Sequence, residues 1–411
     1  MLSLKENRYA IDGVDVLALA EKYGTPVYVY STQKIEENYQ RLASAFPGVK
    51  LGIHFACKAL SNINILRFLR QLGAGLDAVS IQEVQLGLHA GFTPGEILYT
   101  PNGVGMDEIS EAVDAGVKVN IDNISTLEQF GARYGNRVPV CVRINPHIMA
   151  GGNVKISTGH IDSKFGISYY QLRHLERVVK LYDIQVEGLH MHTGSDILDA
   201  EVFLRGAEML FDAARYFPDL RYLDFGSGFK VAYKEQDVVT DIEDIGAKIA
   251  ERFTAFCAEY GRPLELWFEP GKFLVSESGT FLVKTNVVKQ TTSTVFAGVN
   301  SGLNHLIRPM LYDAYHRIVN VSNPSGTERI YSVVGYICET DTFGWDRKIA
   351  EVSEGDILAF YNAGAYGYSM SSQYNSRFRP AEVLIHRGQD YLIRRADTME
   401  DLLRNQIELG L

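Results

Sequence analysis

The residue with the clearest chemical potential is Lys58, which follows the short apolar run Gly52–Cys57. A lysine ammonium at such a place is poorly solvated, which favours the free amine, and a free amine attacks carbonyl carbon. Lys58 is therefore a candidate Schiff-base lysine. The alternative is a lysine that reaches from a strand end into water, and Lys58 alone would favour that alternative. Residues further along the chain favour the Schiff base.

Other polar groups also stand where apolar segments end. Glu269 follows one such segment, and because an unpaired buried carboxylate is costly, it needs a cationic partner such as a protonated pyridine nitrogen. The turn Gly226-Ser227-Gly228 leaves backbone N–H groups free to bind a phosphate, although a plain tight turn is the alternative. The remaining groups of this kind are Asp77, Ser80, Arg143, His190 and His192.

The apolar segments that carry these groups alternate with helical patterns. Asn62 and Ser80 are predicted helix N-caps, and Ser80 with Glu83 forms a capping-box pattern. Eight strands alternating with helices predict a (β/α)8 barrel, whose active site lies at the carboxyl ends of the strands. A doubly wound open sheet is the alternative. The predicted strands are Gly52–Cys57, Leu76–Val79, Ile97–Tyr99, Val117–Ile121, Pro139–Ile144, Val186–Met191, Tyr222–Phe225 and Leu264–Phe268.

Beyond Val275 the pattern changes to short alternating strands with turns, and helical periodicity returns only near the end of the chain. We therefore predict a second, mostly antiparallel β domain. The predicted domains are a barrel over 27–275 and a β domain made of 1–26 and 276–411. The strands predicted for this domain are Thr280–Lys284, Arg329–Ile337, Asp356–Tyr361, Ala381–Ile385 and Tyr391–Arg394, followed by a helix over Met399–Glu408.

Composition restricts the class of function. The chain has 411 residues, of which 46% are hydrophobic and 22% are charged, and its net charge is -10 without basic runs. Nucleic acid and anionic membranes attract clustered Lys and Arg, so we expect neither as a partner and favour small-molecule chemistry. The four cysteines are scattered, so neither a disulfide framework nor a metal site is predicted. With no signal peptide pattern and no spanning apolar run, we expect a cytoplasmic protein.

Several segments together resemble one family. The chain is similar to the fold-type III pyridoxal-phosphate-dependent decarboxylases, in particular to the diaminopimelate decarboxylases. The resemblance implies an alanine racemase- and ornithine decarboxylase-like architecture with pyridoxal 5'-phosphate as cofactor. The matching segments are His54–Ala59, Ile156–Gly159, Lys164–Ile167, His190–Ser195, Glu269–Gly271, Leu306–Pro309, Leu311–Tyr312, Cys338–Thr340, Gly364–Ser372 and Tyr374–Arg377.

The resemblance implies a role for each matching residue in the barrel. Lys58 would hold the cofactor covalently, His192 would stack on its ring, and Glu269 would keep the ring nitrogen protonated. Arg143 would steady the acidic groups of the site. The other residues expected around the cofactor, mainly at its phosphate, are Asp77, Ser195, Gly228, Gly271 and Lys272.

The second domain would complete the active site of a partner subunit, which implies an obligate homodimer with composite sites. Cys338 would be the proton donor, with Glu339 and Tyr366 at the substrate and cofactor. The residues expected at the distal end of the substrate are Arg308 and Tyr312, and Lys272 is also expected to contact the substrate.

The chain departs from the family pattern at two positions. Lys272 stands where the family usually has arginine, and a lysine keeps the charge but loses the bidentate fork. Ser227 stands in a turn that is commonly three glycines, which is a mild change because a serine also presents its N–H.

The expected reaction is decarboxylation of meso-diaminopimelate to L-lysine and CO₂, the last step of lysine biosynthesis. Arg308 suits a distal carboxylate and Glu339 suits a distal ammonium, and both features favour this substrate. The alternatives are a carboxynorspermidine or other basic amino-acid decarboxylase of the same fold, a non-catalytic cofactor-binding regulatory protein, and a cofactor-free Schiff-base aldolase.

Overall fold

The computed structural model describes residues 1–148, 163–194 and 196–411, which form two compact units. The β unit consists of Met1–Glu37, Ala232–Asp237 and Val275–Leu411. The barrel unit consists of Asn38–Val231 and Val238–Leu274. The predicted motif segment Ile156–Gly159 and the predicted site residue Ser195 lie outside the described residues.

The regular elements of both units are numbered here in chain order. The strands are β1 (Leu2–Lys5), β2 (Arg8–Ile11), β3 (Val14–Asp15), β4 (Val27–Ser31), β5 (Lys50–Ala56), β6 (Gly75–Ala78), β7 (Ile97–Tyr99), β8 (Lys118–Ile121), β9 (Val140–Asn145), β10 (Ile167–Ser168), β11 (Val186–His190), β12 (Tyr222–Asp224), β13 (Glu265–Phe268), β14 (Gly279–Gln290), β15 (Val295–Val299), β16 (Ile318–Asn320), β17 (Glu328–Val334), β18 (Thr342–Ala350), β19 (Ile357–Phe360), β20 (Ala381–His386) and β21 (Gln389–Arg394). The helices are α1 (Val16–Tyr23), α2 (Thr32–Ser44), α3 (Ile63–Gln71), α4 (Ile81–Ala90), α5 (Met106–Asp114), α6 (Ile124–Tyr134), α7 (Leu172–Leu181), α8 (Ala200–Ala214), α9 (Ile242–Tyr260), α10 (Lys272–Val275), α11 (Arg308–Tyr312) and α12 (Met399–Leu403).

The barrel unit is a closed parallel barrel. Its strands pair in the order β5-β6-β7-β8-β9-β11-β12-β13, and β13 pairs again with β5, so that the sheet closes on itself. All eight strands were predicted, each within two residues of its observed bounds, and the doubly wound alternative is wrong because an open sheet has two edges. Closure brings the carboxyl ends of all eight strands to one rim.

The predicted helix caps are confirmed with one change. The Asn62 side chain accepts a hydrogen bond from the Asn64 N–H at 3.0 Å and starts α3. Ser80 Oγ accepts from the Glu83 N–H at 3.2 Å and starts α4. The Glu83 carboxylate, however, accepts from the Val79 N–H at 2.9 Å, one residue before the position that a capping box requires.

The β unit is mostly antiparallel, as predicted. Its larger sheet runs β18-β17-β15-β14-β4-β20-β21, and β19 pairs with β14 and β16. Only the pairs β15–β17 and β20–β4 are parallel within this sheet, as far as the structure describes it. A separate three-stranded sheet, β1-β2-β3, was not predicted, because its strands of two to four residues are too short to show a pattern.

The predicted domain boundary at residue 27 shifts to Asn38. Strand β4 lies between β14 and β20 and is buried along its whole length, so it belongs to the β unit. A closed barrel has no free edge that could take this strand. The short segment Ala232–Asp237 also belongs to the β unit, although the predicted barrel domain included every residue from 27 to 275.

Among the described residues, every helix is too short or too polar to cross a lipid bilayer.

A first prediction concerns Gly364, which packs against the backbone of the β unit. A Cβ at this position would lie 1.8 Å from the Val275 carbonyl oxygen, and backbone cannot move aside easily. We expect Gly364→Ala to lower the free energy of unfolding by about 1–3 kcal/mol or more. The control is Gly95→Ala, because a Cβ there meets only the Lys118 Nζ at 3.9 Å. Equal urea midpoints for Gly364→Ala and the parent protein would contradict this packing.

Candidate active site

Lys58 is presented at the rim of the barrel. Strand β5 ends at Ala56, and the next three residues form a single helical turn whose other members, Cys57 and Ala59, are fully buried. The buried neighbours fix the backbone, while the Lys58 side chain remains 45% exposed. The Lys58 Nζ lies 3.4 Å from Asp77 Oδ2 on the adjacent strand β6. The amine is therefore both anchored and accessible.

Asp77 is the buried acid beside this lysine. Burial and the charge of Glu269 raise the pKa of Asp77 to about 7, although Lys58 opposes the shift. Its Oδ1 atom has no hydrogen-bond partner within the described ranges. Asp77 can therefore hold or release a proton near neutral pH, next to the Lys58 amine.

Glu269 follows β13 and belongs to a buried cluster with His190 and Asp224. His190 Nε2 donates to Glu269 Oε2 at 3.1 Å, and one ligand-type atom from each of the three side chains lies within 4.8 Å of the other two. Burial opposes the charge on Glu269, but His190 and Lys58 outweigh it and hold the pKa of Glu269 below its ordinary value. The Asp224 carboxyl group also forms a side-chain hydrogen bond with Glu269.

Asp224 at the end of β12 is kept neutral by the same cluster. Burial and the charge of Glu269 raise its pKa well above the ordinary value, although the Gly226 N–H donates to its Oδ1 at 2.8 Å. Two carboxyl groups in close contact cannot both ionise without a large electrostatic penalty. The cluster therefore carries one negative charge, on Glu269.

His192 lies just beyond β11 as a neutral ring. The Ser227 N–H donates to His192 Nδ1 at 3.2 Å, which places the ring proton on Nε2. Burial lowers the pKa of His192 to about 3, and the charges of Arg143 and Lys58 act in the same direction. A neutral, flat imidazole held in this way is suited to lie against another ring.

The turn after β12 approaches its neighbours too closely for any side chain. A Cβ at Gly226 would lie 2.6 Å from His192 Nδ1, and a Cβ at Gly228 would lie 2.5 Å from the Gly194 carbonyl oxygen. Gly226 and Gly228 also have φ of +62° and +134°, a region that favours glycine. The Glu269 N–H donates to the Gly226 oxygen at 2.6 Å, which joins this turn to the one after β13.

Three further residues of the barrel unit, Arg143, Gly271 and Lys272, were predicted to bind the cofactor, and the structure describes the contacts of each. Arg143 on β9 is buried, its pKa is lowered by burial, and the charges of Glu269 and Asp122 oppose that shift. Lys272 begins α10 and forms an ion pair with Asp196 at 2.5 Å. Gly271 precedes it and accepts the Leu274 N–H at 3.2 Å. The predicted substrate contact of Lys272 stays a prediction.

The predicted substrate residues of the β unit form two groups. In the first, Arg308 and Tyr312 are the first and last residues of α11. Arg308 is buried and its Nη1 donates to Tyr233 Oη at 2.7 Å. The Tyr233 hydroxyl is in turn 2.9 Å from Ser276 Oγ. The guanidinium is thus held by a neutral hydroxyl and keeps its charge for another partner.

The second group surrounds Cys338, which is exposed in the single chain. Asn375 Nδ2 is 3.6 Å from its sulfur, and the Tyr374 hydroxyl donates to the Glu339 carboxylate. Tyr366 has a φ of +56°, which is uncommon for a residue with a side chain and marks a special backbone position.

Three contributors to the site were not predicted. Asp224 could have been recognised as an acid at the end of an otherwise apolar strand, the same signal that identified Glu269. Tyr233 and Asp196 carry no such signal, because their roles depend on the partners Arg308 and Lys272, which are distant in sequence. His190 was noted at a strand end, but its contact with Glu269 was not.

Comparison with known proteins gives consistent results. Residues 32–276 match the protein family described as pyridoxal-dependent decarboxylase, pyridoxal binding domain. The diaminopimelate decarboxylase of Methanothermobacter thermautotrophicus is 39% identical over 408 residues, which cover 96% of this chain and 95% of that protein. The crystal structure of diaminopimelate decarboxylase from M. jannaschii with L-lysine has a TM-score of 0.91 at 30% identity and covers 100% of this chain and 98% of its own. The L-lysine complex of the Helicobacter pylori enzyme has a TM-score of 0.87 at 32% identity, with 95% and 98% covered.

A second prediction follows from the raised pKa of Asp77. In the cofactor-free protein its folded pKa is about 7, against about 3.9 in an unfolded chain, so the folded state binds more protons between these values. Protonated Asp77 therefore stabilises the folded state. This stabilisation is complete below about pH 4 and is lost as the pH rises through about 7. Relative to Asp77→Asn, the wild-type free energy of unfolding should fall across this window by at most about 1.4 kcal/mol per pH unit.

Denaturant titrations of cofactor-free protein at several pH values test this. Asp114→Asn is the matched control, because Asp114 is exposed at the end of α5 and its substitution should leave the pH dependence unchanged. A stability difference between wild type and Asp77→Asn that does not vary from pH 4 to pH 7 would refute the assignment.

Proposed function

The chain belongs to the pyridoxal-dependent decarboxylases and, among them, to the diaminopimelate decarboxylases, and from this premise we propose that it converts meso-2,6-diaminoheptanedioate (meso-diaminopimelate) to L-lysine and CO₂. This is the last step of lysine biosynthesis. The observation that carries the proposal is the Glu269 carboxylate, which is buried after the barrel strand β13 and keeps its charge.

The residues of the barrel rim fit pyridoxal phosphate. The charged Glu269 carboxylate can accept a hydrogen bond from a protonated ring nitrogen, and the neutral imidazole of His192 can lie against the ring. The backbone around Gly228 leaves no room for a Cβ, as expected where N–H groups must approach a phosphate closely. Lys58 supplies an accessible amine for the covalent attachment.

When bound, pyridoxal phosphate supplies an electron-accepting ring that takes up the electron pair left behind by departing CO₂. Glu269 serves this chemistry by keeping the ring nitrogen protonated, since the neighbouring Asp224 is neutral and cannot compete for that proton. Asp77 can take a proton from Lys58 or return one to it, because the two groups are 3.4 Å apart. The Lys58 amine can thereby gain or lose a proton at Nζ.

We assign the final proton transfer to Cys338, which would hold a proton at Sγ and deliver it to the substrate carbon. A positioned proton donor of this kind typically contributes ~10²–10⁴-fold to the rate. Asn375 contacts the sulfur and limits its rotation. Glu339 and Tyr366 are proposed to lie at the substrate and cofactor.

Substrate selection depends on Arg308 and Glu339. A planar guanidinium binds a carboxylate through two parallel hydrogen bonds, which suits the distal carboxylate that meso-diaminopimelate has and ornithine or lysine lack. Tyr233 orients Arg308 without neutralising it. Glu339 would accept the distal ammonium, and Tyr312 would line the same end. The proposed role of Lys272 at the substrate requires release of its ion pair with Asp196.

We further propose an obligate homodimer in which the β unit of one subunit completes the barrel site of the other. The exposure of Cys338 in the single chain supports this, because a proton donor in decarboxylation must be shielded from water when it acts. We propose a cytoplasmic location as well, since a net charge of -10 gives little attraction to an anionic membrane.

A decarboxylase for carboxynorspermidine or another basic amino acid is the alternative within this fold. The non-catalytic and aldolase alternatives are less well supported, because the chain retains both Lys58 and Cys338 and also the acid that a pyridine ring needs. Offering each candidate substrate separately to the purified protein with pyridoxal phosphate, and measuring CO₂, distinguishes these cases.

In that experiment we expect CO₂ from meso-diaminopimelate and little from carboxynorspermidine, ornithine or lysine. Lys58→Ala should lower turnover by at least ~10²-fold and remove the absorbance band of covalently bound cofactor. Lys180→Ala is the control, because that side chain is 72% exposed and pairs with Glu176 at 2.6 Å on the surface of α7. Near-parental turnover by Lys58→Ala would contradict the proposed role of Lys58. Release of CO₂ from ornithine alone would contradict the proposed substrate.

A further prediction tests the composite site. Inactive Lys58→Ala and inactive Cys338→Ala proteins, mixed in equal amounts and allowed to exchange subunits, should form about half heterodimers, each with one intact site of two. Activity should then return to roughly a quarter of the parental level. Native mass spectrometry confirms the exchange. If heterodimers form without recovery of activity, Cys338 serves the Lys58 of its own chain.

A further inference from the structure

The β unit contains a groove that has no part in the proposed reaction. Its volume is about 650 Å³, within the range of small-molecule sites, and none of its lining residues belongs to the predicted active site. We call it the basic groove and define it by six residues. They are Tyr9, Lys234, Tyr315, Arg317, Arg347 and Lys348.

The charged residues of the basic groove are not balanced in pairs. Four cations line it, Lys234, Arg317, Arg347 and Lys348, and three acids lie beside them, Glu235, Asp237 and Glu328. Arg317 pairs with Glu235 at 2.6 Å, and Lys348 pairs with Glu328 at 2.5 Å. The Asp237 carboxylate accepts the backbone N–H groups of Tyr233 and Lys234 at 2.9 and 3.0 Å. Within the described chain, Arg347 and Lys234 have no acidic partner.

Arg347 is the more constrained of these two cations. Its guanidinium carbon lies 3.8 Å from the centre of the Tyr315 ring, and its side chain folds over Gly344. The Nε atom is buried and has no hydrogen-bond partner in the part of the chain that the structure describes. Burial lowers the pKa of Arg347, and Tyr315 opposes that shift. A partly desolvated cation without a counter-charge is unfavourable.

Lys234 adds a second positive charge at the same ring. Its Nζ lies 5.2 Å from the centre of Tyr315, so the two unpaired cations approach one aromatic side chain. Like charges that converge on one place repel each other unless an anion lies between them. The contact with the Tyr315 ring holds the Arg347 guanidinium in place at the groove.

We propose that the basic groove binds a small-molecule anion that carries a phosphate or carboxylate group, held by Arg347 and Lys234. The guanidinium donates parallel hydrogen bonds to two oxygens of the anion, and the lysine supplies the second charge. A groove of this size accommodates an anionic group attached to a larger body, such as a phosphate ester or a dicarboxylic acid.

Isothermal titration of the holoenzyme at constant ionic strength tests the site, with inorganic phosphate and malonate as separate probes. We expect saturable binding of at least one probe below ~10 mM. A phosphate preference indicates a phosphate ester, and a malonate preference indicates a dicarboxylate. Arg347→Gln and Lys234→Gln should each weaken the binding by ~10-fold or more, because each removes one charged contact.

Arg329→Gln is the control for a general loss of positive charge. Arg329 lies on the neighbouring strand β17, is 62% exposed and is paired with Glu351 at 3.0 Å. Its replacement should leave the affinity unchanged, and Arg347→Gln should retain decarboxylation at saturating substrate. The proposal is overturned if neither probe binds below ~10 mM, or if binding persists at full affinity in both Arg347→Gln and Lys234→Gln.

Discussion

The site depends on a single negative charge buried at the rim of the barrel. Glu269 shares the rim with two further buried carboxyl groups, Asp77 and Asp224, and burial raises the pKa of all three. His190 and Lys58 together hold Glu269 in its charged form, and that charge then raises the pKa of the other two acids. His190 contacts Glu269 directly through a hydrogen bond of 3.1 Å.

The closed barrel is what makes this arrangement possible. Lys58 lies far from His190 in the sequence, and His190 and Glu269 are 79 residues apart, yet each stands where a parallel strand ends. Because hydrogen-bonded pairing continues from β13 to β5, the strand of Glu269 lies directly beside the strand of Lys58. The same closure excludes β4, which finds its partners in the β unit. The order of the strands therefore brings the reactive groups together, and the turns after β5 and β12 set the positions of Lys58 and Gly228.

The sequence predicted the features that have a local pattern. The eight barrel strands, the Asn62 and Ser80 caps and the polar groups at the strand ends all follow from periodicity and residue type. The pairing of β4 was missed because strand partners are chosen by long-range geometry, which an isolated apolar run of five residues does not encode. The interaction of Tyr233 with Arg308 was missed for the same reason, since 75 residues separate the two. The neutral state of Asp224 is a collective property of the cluster and cannot be assigned from its own position.

The protonation state of the bound cofactor tests the central role of Glu269 most directly. Pyridoxal phosphate labelled with ¹⁵N at the ring nitrogen, bound to wild-type protein and to Glu269→Gln, reports that state through its nitrogen chemical shift. We expect a protonated ring nitrogen in the wild type at neutral pH and an unprotonated one in Glu269→Gln. A neutral amide does not stabilise the positive charge of a protonated ring nitrogen. A protonated ring nitrogen in both proteins would show that a group other than Glu269 stabilises the protonated ring, and would contradict the central role of Glu269.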